Sequence, residues 1–125
     1  MIEVNTEICN LKYDGVSLLT CVVFDTDITI DKVKRNYEKS FEITEGKVVK
    51  TLVDFRQLSF TNVPREAFDY MSDNPYNQYQ KAVAILIDGL ALKLLANFYL
   101  KVFKPVVKTK VFESENSAIK WLNTF

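Results

Sequence analysis

The sequence contains no histidine, and it is poor in cysteine, glycine and proline. Its 125 residues include two cysteines, three glycines and three prolines. Without histidine the chain lacks the commonest general base and the commonest metal ligand, which leaves catalysis to carboxylates, lysine, tyrosine or cysteine. The glycines stand apart at Gly15, Gly46 and Gly89, so they form no glycine-rich phosphate loop. The sequence therefore predicts no enzyme activity, no metal site and no cofactor.

The chain also lacks an excess of charge of one sign, because basic and acidic residues number 16 each. A neutral chain has no long-range attraction for a polyanion, so nucleic acid is not an expected partner. Residues 1–75 nevertheless carry a net negative charge and residues 76–125 a net positive one. Five lysines with no acidic residue among them predict a basic strip: Lys93, Lys101, Lys104, Lys108 and Lys110. The alternative is a solvated lysine face that blocks aggregation.

The two cysteines are too few for a disulfide framework. Residues 1–7 are acidic and polar where a secretory signal would be basic and then apolar, so a cytoplasmic localisation is predicted, with both cysteines kept as thiols. If Asp14 and Gly15 form a two-residue hairpin turn, the resulting register directs Cys9 and Cys21 to opposite faces of the sheet. We therefore expect two small buried side chains rather than a redox or metal site.

Residues 82–103 form the one segment that is long and apolar enough to suggest a membrane span. Charged residues such as Asp88 and Lys93 interrupt it, and each costs about 3 kcal/mol at the centre of a bilayer. The segment instead divides into a continuous apolar strand at 82–87, typical of the interior of a sheet, and a helix at 89–103. No membrane span is predicted.

Strand and helix patterns alternate along the rest of the chain. Five strands are predicted, at residues 2–13, 16–24, 48–55, 82–87 and 107–112, and helices begin near residues 30, 63, 89 and 115. The first strand has apolar residues at even and then at odd positions, which indicates a bulge or bend. The order predicts one α/β domain over residues 1–125, a mixed sheet of about five strands with an N-terminal antiparallel hairpin, covered by about four helices.

Carboxylates follow several predicted strands, where α/β proteins keep their sites. They are Asp25 with Asp27 and Asp54 with Asp88. Nothing supplies a partner nucleophile or base at a recognisable spacing, so a catalytic role is not favoured. The alternatives are an ion pair of Asp54 with Arg56 and a helix-capping role for Asp88.

The helix at 89–103 has an apolar arc much wider than one packed face requires. One flank is expected to cover the sheet: Ala91, Leu95, Phe98 and Val102. A second flank is the candidate interface: Leu92, Ala96, Tyr99 and Phe103. This second flank either packs inside the chain, against the last helix, or pairs with a second copy in a homodimer.

Several segments carry a resemblance to a known family: LVDFR at 52–56, AVAILID at 82–88, LANFYL at 95–100, TKVFESE at 109–115 and AIKWL at 118–122. In these segments the chain resembles the small bacterial SpoIIAA-like proteins of the STAS/SEC14 superfamily. The resemblance implies a sheet covered by helices, with no known chemistry and often dimeric. It rests on patterned fold residues and not on a catalytic motif.

The STAS side of the resemblance implies a non-catalytic regulatory or protein-interaction module, homodimeric, with a partner protein as its target. In STAS domains a phosphorylated serine at a helix start controls such binding. The matching region here, residues 54–64, lacks the Asp-Ser-x-Gly pattern. Ser59 and Thr61 are the candidate switch residues, since a phosphate near a helix start is stabilised by free N–H groups. The alternative is that they are loop and capping hydroxyls.

The SEC14 side of the resemblance implies a second function, a carrier or sensor of a small apolar or lipid ligand. Such a ligand would occupy a pocket between helices and sheet, lined by some of the 9 phenylalanines and 6 tyrosines. The alternative is that these aromatic residues are simply core, because a chain of this length has little room for a large cavity.

Overall fold

The protein forms one six-stranded sheet in the computed structural model, which describes residues 1–24, 27–57 and 63–125. Ser59, Thr61 and Asp25 lie outside the described residues. The strands are β1 (Ile2–Asn5), β2 (Cys9–Tyr13), β3 (Leu18–Val23), β4 (Val49–Asp54), β5 (Gln80–Leu86) and β6 (Lys108–Phe112). They lie side by side in chain order; β1, β2 and β3 pair antiparallel, whereas β3 to β6 pair parallel.

Helices cover both faces of this sheet. Within the described residues they are α1 (Ile30–Thr44), α2 (Arg65–Ser72), α3 (Leu90–Phe103) and α4 (Glu115–Leu122), with a short 3₁₀ helix at Pro75–Tyr79. Successive right-handed crossovers that advance in one direction leave their helices on one face, so α1, α2 and α3 share a face and α4 covers the other. The predicted α/β architecture with a mixed sheet is confirmed.

The N-terminal strand is interrupted, which raises the strand number from the expected five to six. The Thr6 hydroxyl accepts hydrogen bonds from the backbone N–H groups of Ile8 (3.3 Å) and Cys9 (3.1 Å), and the Thr6 N–H donates to the Cys9 carbonyl. These bonds close a tight turn between β1 and β2. The change from even to odd apolar positions therefore marks a reversal of the chain and not a bulge within one strand.

The turn between β2 and β3 is longer than predicted. The Asp14 carboxylate accepts hydrogen bonds from the N–H groups of Val16, Ser17 and Leu18, which makes a four-residue loop. This hydrogen bonding lowers the pKa of Asp14 even though burial opposes it. The longer loop shifts the register so that Cys9 pairs with Val23 and Leu11 with Cys21. The prediction of cysteines on opposite faces was wrong, because in this register both point to the same face.

Each face of the sheet has its own core. Under α4, the helix-facing side chains of the central strands are fully buried: Leu52, Ala82, Ala84 and Leu86, against Ala118 and Leu122. The small alanines let α4 approach β5 closely. The core of the three-helix face is centred on β2 and β3, at Leu11, Leu19, Cys21, Val23 and Val33. β5 lies between β4 and β6, as its continuous apolar run predicts.

Helix starts follow their sequence signals in most cases. Thr29 caps α1 and Ser114 caps α4, each accepting a backbone N–H. Asp88 does not cap α3, because Gly89 occupies the N-cap position and no side-chain cap bond is made there. In the part of the chain that the structure describes, no helix combines the length and apolar character needed to cross a membrane.

Candidate functional site

An apolar cavity of about 170 Å³ lies between the sheet and the helices α1, α2 and α3. Its floor is formed by side chains of the sheet, among them Leu11, Leu19, Cys21, Thr51, Val53, Val83 and Ile85. Its opposite wall is formed by helix side chains, among them Val33, Tyr37, Phe68, Met71, Ala96, Tyr99, Leu100 and Phe103. The arrangement is an enclosed hydrophobic space over the middle of the sheet.

The helix packing explains why this space is open. α1 packs over β2 and α3 over β6, while α2 packs against these two helices. Among the described residues, the helices on this face therefore lie to either side of the central strands and none packs closely upon them. Val53, Val83 and Ile85 remain only half-buried although they belong to interior strands. Protein interiors are normally close-packed, so half-buried side chains at the centre of a sheet indicate room for another molecule.

Thr51 is the polar exception on the cavity floor. It is 6% exposed, and its Oγ1 has no hydrogen-bond partner among the residues that the structure describes. Its neighbours on the adjoining strands are Leu19 and Val83, which cannot donate or accept through their side chains. A buried hydroxyl without a partner costs about 1–3 kcal/mol. The floor of the apolar space thus includes a buried hydroxyl whose hydrogen-bonding capacity is not used by the described residues.

The other polar groups of the wall differ from Thr51 in having protein partners. The Asn36 Oδ1 accepts hydrogen bonds from Thr6 Oγ1 (2.7 Å) and Cys9 Sγ (3.0 Å). The Tyr37 hydroxyl lies 3.4 Å from the Met71 carbonyl oxygen, to which it donates. Burial raises the pKa of Tyr37 to about 12, so this hydroxyl stays protonated at neutral pH. Thr51 differs from both in having no such partner among the described residues.

The structure orients α3 differently from the prediction. The candidate interface packs inside the chain: Leu92, Ala96 and Tyr99 contact the core, and the Tyr99 and Phe103 rings stack on Phe68 of α2 at 5.2 Å and 5.3 Å between centroids. Of the two alternatives for this flank, internal packing is the one the fold adopts. Its partner is α2 rather than the last helix, because α4 lies on the opposite face of the sheet.

The outward side of α3 is instead an apolar stripe, which we call the α3 stripe. It consists of Leu90 (65% exposed), Leu94 (62%), Phe98 (59%) and Val102 (48%). Phe98 and Val102 were expected to cover the sheet. They point outward because α3 is rotated to place Tyr99 and Phe103 against α2. Four large apolar side chains in a row on a helix surface are typical of an interaction site.

The predicted basic strip is divided between the two faces. Lys93, Lys101 and Lys104 follow α3 beside the α3 stripe, with Lys93 half-buried and the other two exposed. Lys108 and Lys110 lie on the α4 face, where their ammonium groups sit over the Phe125 and Phe112 rings. The division arises because alternate residues of β6 face α4. Only the three α3 lysines adjoin an apolar surface.

Asp54 forms the ion pair that was the alternative to catalysis. Its carboxylate accepts hydrogen bonds from Arg56 Nε (3.1 Å), Nη2 (2.9 Å) and backbone N–H (2.9 Å). Burial alone would raise the pKa of Asp54, but these bonds outweigh it and hold the pKa below its usual range. The carboxylate is thus committed to ordering the end of β4, while Asp88 is exposed.

Comparison with known proteins agrees with this architecture. A family model described as "Domain of unknown function (DUF7793)" matches residues 13–125. An uncharacterised protein of the DUF3478 family from Shewanella loihica PV-4, described as having a SpoIIAA-like fold, is similar at 16% identity over 98% of both chains, with a TM-score of 0.65. A protein of unknown function from Arthrobacter sp. FB24 aligns over 92% of this chain and 99% of its own, at 22% identity and a TM-score of 0.36. No curated protein matches the chain. The Shewanella likeness identifies the fold as SpoIIAA-like, as the sequence resemblance implied.

Proposed function

The chain belongs to the DUF7793 family of domains of unknown function, and we propose from its geometry that it is a non-catalytic module that binds a small apolar ligand. The observation that carries the proposal is the cavity with the unpartnered Thr51 hydroxyl in its floor. Ligand sites in general are apolar concavities with a few polar groups that fix orientation. The cavity over β4 and β5 has this composition.

The volume limits what the ligand can be. At about 170 Å³ the cavity is comparable to the engineered apolar cavity of ~150 Å³ that admits benzene. It is smaller than the ~300–1,000 Å³ pockets that enclose drug-sized ligands. The proposal is therefore narrower than the carrier or sensor expected from the SEC14 resemblance. The ligand is a single ring or short chain with one hydrogen-bonding group, and not a diacyl lipid.

Phenol and toluene test this proposal, because they have the same number of heavy atoms and differ in one hydroxyl. We expect both to enter the cavity and shift the NMR methyl signals of Val53, Val83 and Ile85. Thr51→Val keeps the shape of the side chain and removes its hydroxyl, so it leaves the hydroxyl of bound phenol without a partner. We expect phenol affinity to fall about tenfold in this variant, while toluene affinity is unchanged.

A second variant serves as the matched control. Val83→Phe fills the cavity from its floor and should abolish binding of both compounds while the protein stays folded. Absence of any shift at cavity residues with either compound would contradict the proposal. An equal effect of Thr51→Val on the affinities for phenol and toluene would show that the Thr51 hydroxyl does not bind the ligand.

A second candidate function is protein interaction, and the α3 stripe is the observation that favours it. We propose that a second copy of this chain covers the stripe, so the homodimer expected from the sequence is retained with a different surface. The chain has no net charge, so copies do not repel each other at long range. Regulation of a partner protein would be a further function of that dimer, in the cytoplasm as the sequence predicts. Its test is the oligomeric state, argued below.

A further inference from the structure

Cys9 and Cys21 approach each other on the buried face of β2 and β3. Cys9 pairs with Val23 and Cys21 with Leu11, so the two cysteines are diagonal neighbours on one face. Their Sγ atoms are 2.6 Å apart, and both are free thiols. A disulfide bond measures about 2.05 Å, so the backbone already holds the sulfur atoms close to bonding distance.

The surroundings give the two thiols different roles. The Cys21 thiol donates to Cys9 Sγ, the Thr6 hydroxyl lies 3.6 Å from the same sulfur, and Asn36 contacts it at 3.0 Å. The hydrogen bond from Cys21, helped by Thr6, outweighs burial and lowers the pKa of Cys9. The same contact, together with full burial, raises the pKa of Cys21. A Cys9 thiolate can accept the proton of Cys21 across this contact, which leaves the Cys21 sulfur as the nucleophile and Cys9 to resolve the product.

The cavity gives a small oxidant a route to this pair. Cys21 lines the cavity floor, whereas Cys9 is completely buried behind it. A water-sized molecule such as hydrogen peroxide fits a space of about 170 Å³, whereas a peptide disulfide such as oxidised glutathione does not. We infer that Cys9 and Cys21 form a reversible redox pair, which a peroxide oxidises to an intramolecular disulfide and a dithiol reduces.

The chemistry balances with one peroxide molecule. Peroxide in the cavity meets Cys21, which lines the floor. Cys21 transfers its proton along the hydrogen bond to the Cys9 thiolate, and the Cys21 sulfur attacks one peroxide oxygen. The O–O bond breaks, and the leaving hydroxide takes a proton to become water. The Cys9 sulfur then attacks the sulfenic sulfur of Cys21, forming the S–S bond as the S–O bond breaks. The departing hydroxide combines with the proton of Cys9 as a second water. The two sulfur atoms are oxidised and the two peroxide oxygens are reduced.

Mass spectrometry of the folded protein tests the pair directly. The protein is treated with hydrogen peroxide, unfolded, and alkylated with iodoacetamide. Trypsin cleaves after Lys12, between the two cysteines, and so separates peptides 1–12 and 13–32 unless a disulfide joins them. We expect both alkylation sites to be lost, the peptides to be linked with loss of two hydrogen atoms, and dithiothreitol to restore both alkylated peptides.

Single variants assign the roles. In Cys9→Ala the reaction should stop at a sulfenic acid on Cys21 that dimedone traps, whereas in Cys21→Ala the Cys9 thiol, which does not line the cavity, should stay alkylatable. Peroxide treatment of the urea-unfolded chain controls for chance encounter and should give the link more slowly. Two alkylatable thiols in the peroxide-treated native protein, or sulfinic acid without the linked peptides, would overturn the inference.

Discussion

The Tyr37 hydroxyl provides a residue-scale test of how deeply the cavity wall is enclosed. The pKa of this phenol rises from 10.0 to about 12 on burial. Between these values the unfolded chain releases the proton and the folded chain retains it, so the free energy of unfolding falls as pH rises. The loss amounts to roughly 2–3 kcal/mol by the upper end of the window. We expect Tyr37→Phe to show a shallower decline of unfolding free energy between pH 10 and 12 in urea titrations.

Tyr79→Phe is the matched control for that measurement, because Tyr79 belongs to the same aromatic group through Phe41. This variant removes one phenol hydroxyl from that group and leaves Tyr37 in place, so a change in slope found only in Tyr37→Phe is due to the Tyr37 hydroxyl. Equal slopes for wild type and Tyr37→Phe would show that the Tyr37 hydroxyl is in contact with water and that the cavity wall is open there.

Single residues also decided where sequence reasoning failed. The identity of the hairpin turn at Asp14 and Gly15 was predictable, but its length was not. The Asp14 carboxylate binds three N–H groups of the loop, and Tyr13 lies opposite Leu19 instead of Val16, which is a register shift of three residues. That shift brought Cys9 and Cys21 together. Turn residues report that a chain reverses, whereas register depends on hydrogen bonds that the pattern does not specify.

At the scale of elements, α3 shows what a helical wheel can and cannot predict. The helical wheel correctly predicts that the apolar arc of α3 is wider than one packed face, and the sequence correctly predicts where the helix lies in the chain. The wheel does not predict which side of α3 faces the sheet, because that depends on where neighbouring aromatic rings lie. Phe68 of α2 stacks with Tyr99 and Phe103, and this contact turns Phe98 outward. The cavity and the unpartnered Thr51 hydroxyl could not be predicted either, because the alternating pattern of a strand does not show whether a helix packs closely on its face.

Two alanine substitutions on α3 test its orientation. Tyr99→Ala removes a ring that stacks on Phe68 and should lower the free energy of unfolding by about 2 kcal/mol or more. Leu94→Ala removes an exposed side chain of the same helix and should change it by no more than about 0.5 kcal/mol in the monomer. Urea denaturation at low protein concentration measures both. The reverse order would mean that Leu94 and not Tyr99 faces the interior of the protein, which would contradict this orientation of α3.

At the scale of the whole molecule, the two faces of the sheet are built differently. α4 packs on small alanines of β5, while α1, α2 and α3 form an arch over β4 and β5. The arched face carries the cavity, the cysteine pair and the α3 stripe, so each proposed activity belongs to the same three-helix side of the sheet.

The α3 stripe yields the last prediction, which concerns assembly. The stripe runs over three turns, about 18 Å of helix, and a second copy can cover it by two-fold symmetry, with the same residues on both sides. Leu94→Glu combined with Phe98→Glu places charge at its centre, where both side chains are exposed in the protomer. We expect wild type to sediment as a dimer and this variant as a folded monomer.

Val16→Glu is the control, since it adds a carboxylate at an apolar side chain that is 75% exposed in the β2–β3 loop, away from α3. It should leave the dimer intact.

Salt distinguishes a second copy from an acidic partner. A two-fold axis perpendicular to α3 pairs the helices antiparallel and brings Lys93, Lys101 and Lys104 of both copies to the same side of the interface. In that arrangement, screening of their repulsion should strengthen the dimer as salt rises. The affinity for an acidic partner protein would instead fall as salt rises. A wild type that remains monomeric at high salt and high protein concentration leaves the stripe to a different partner and refutes the homodimer.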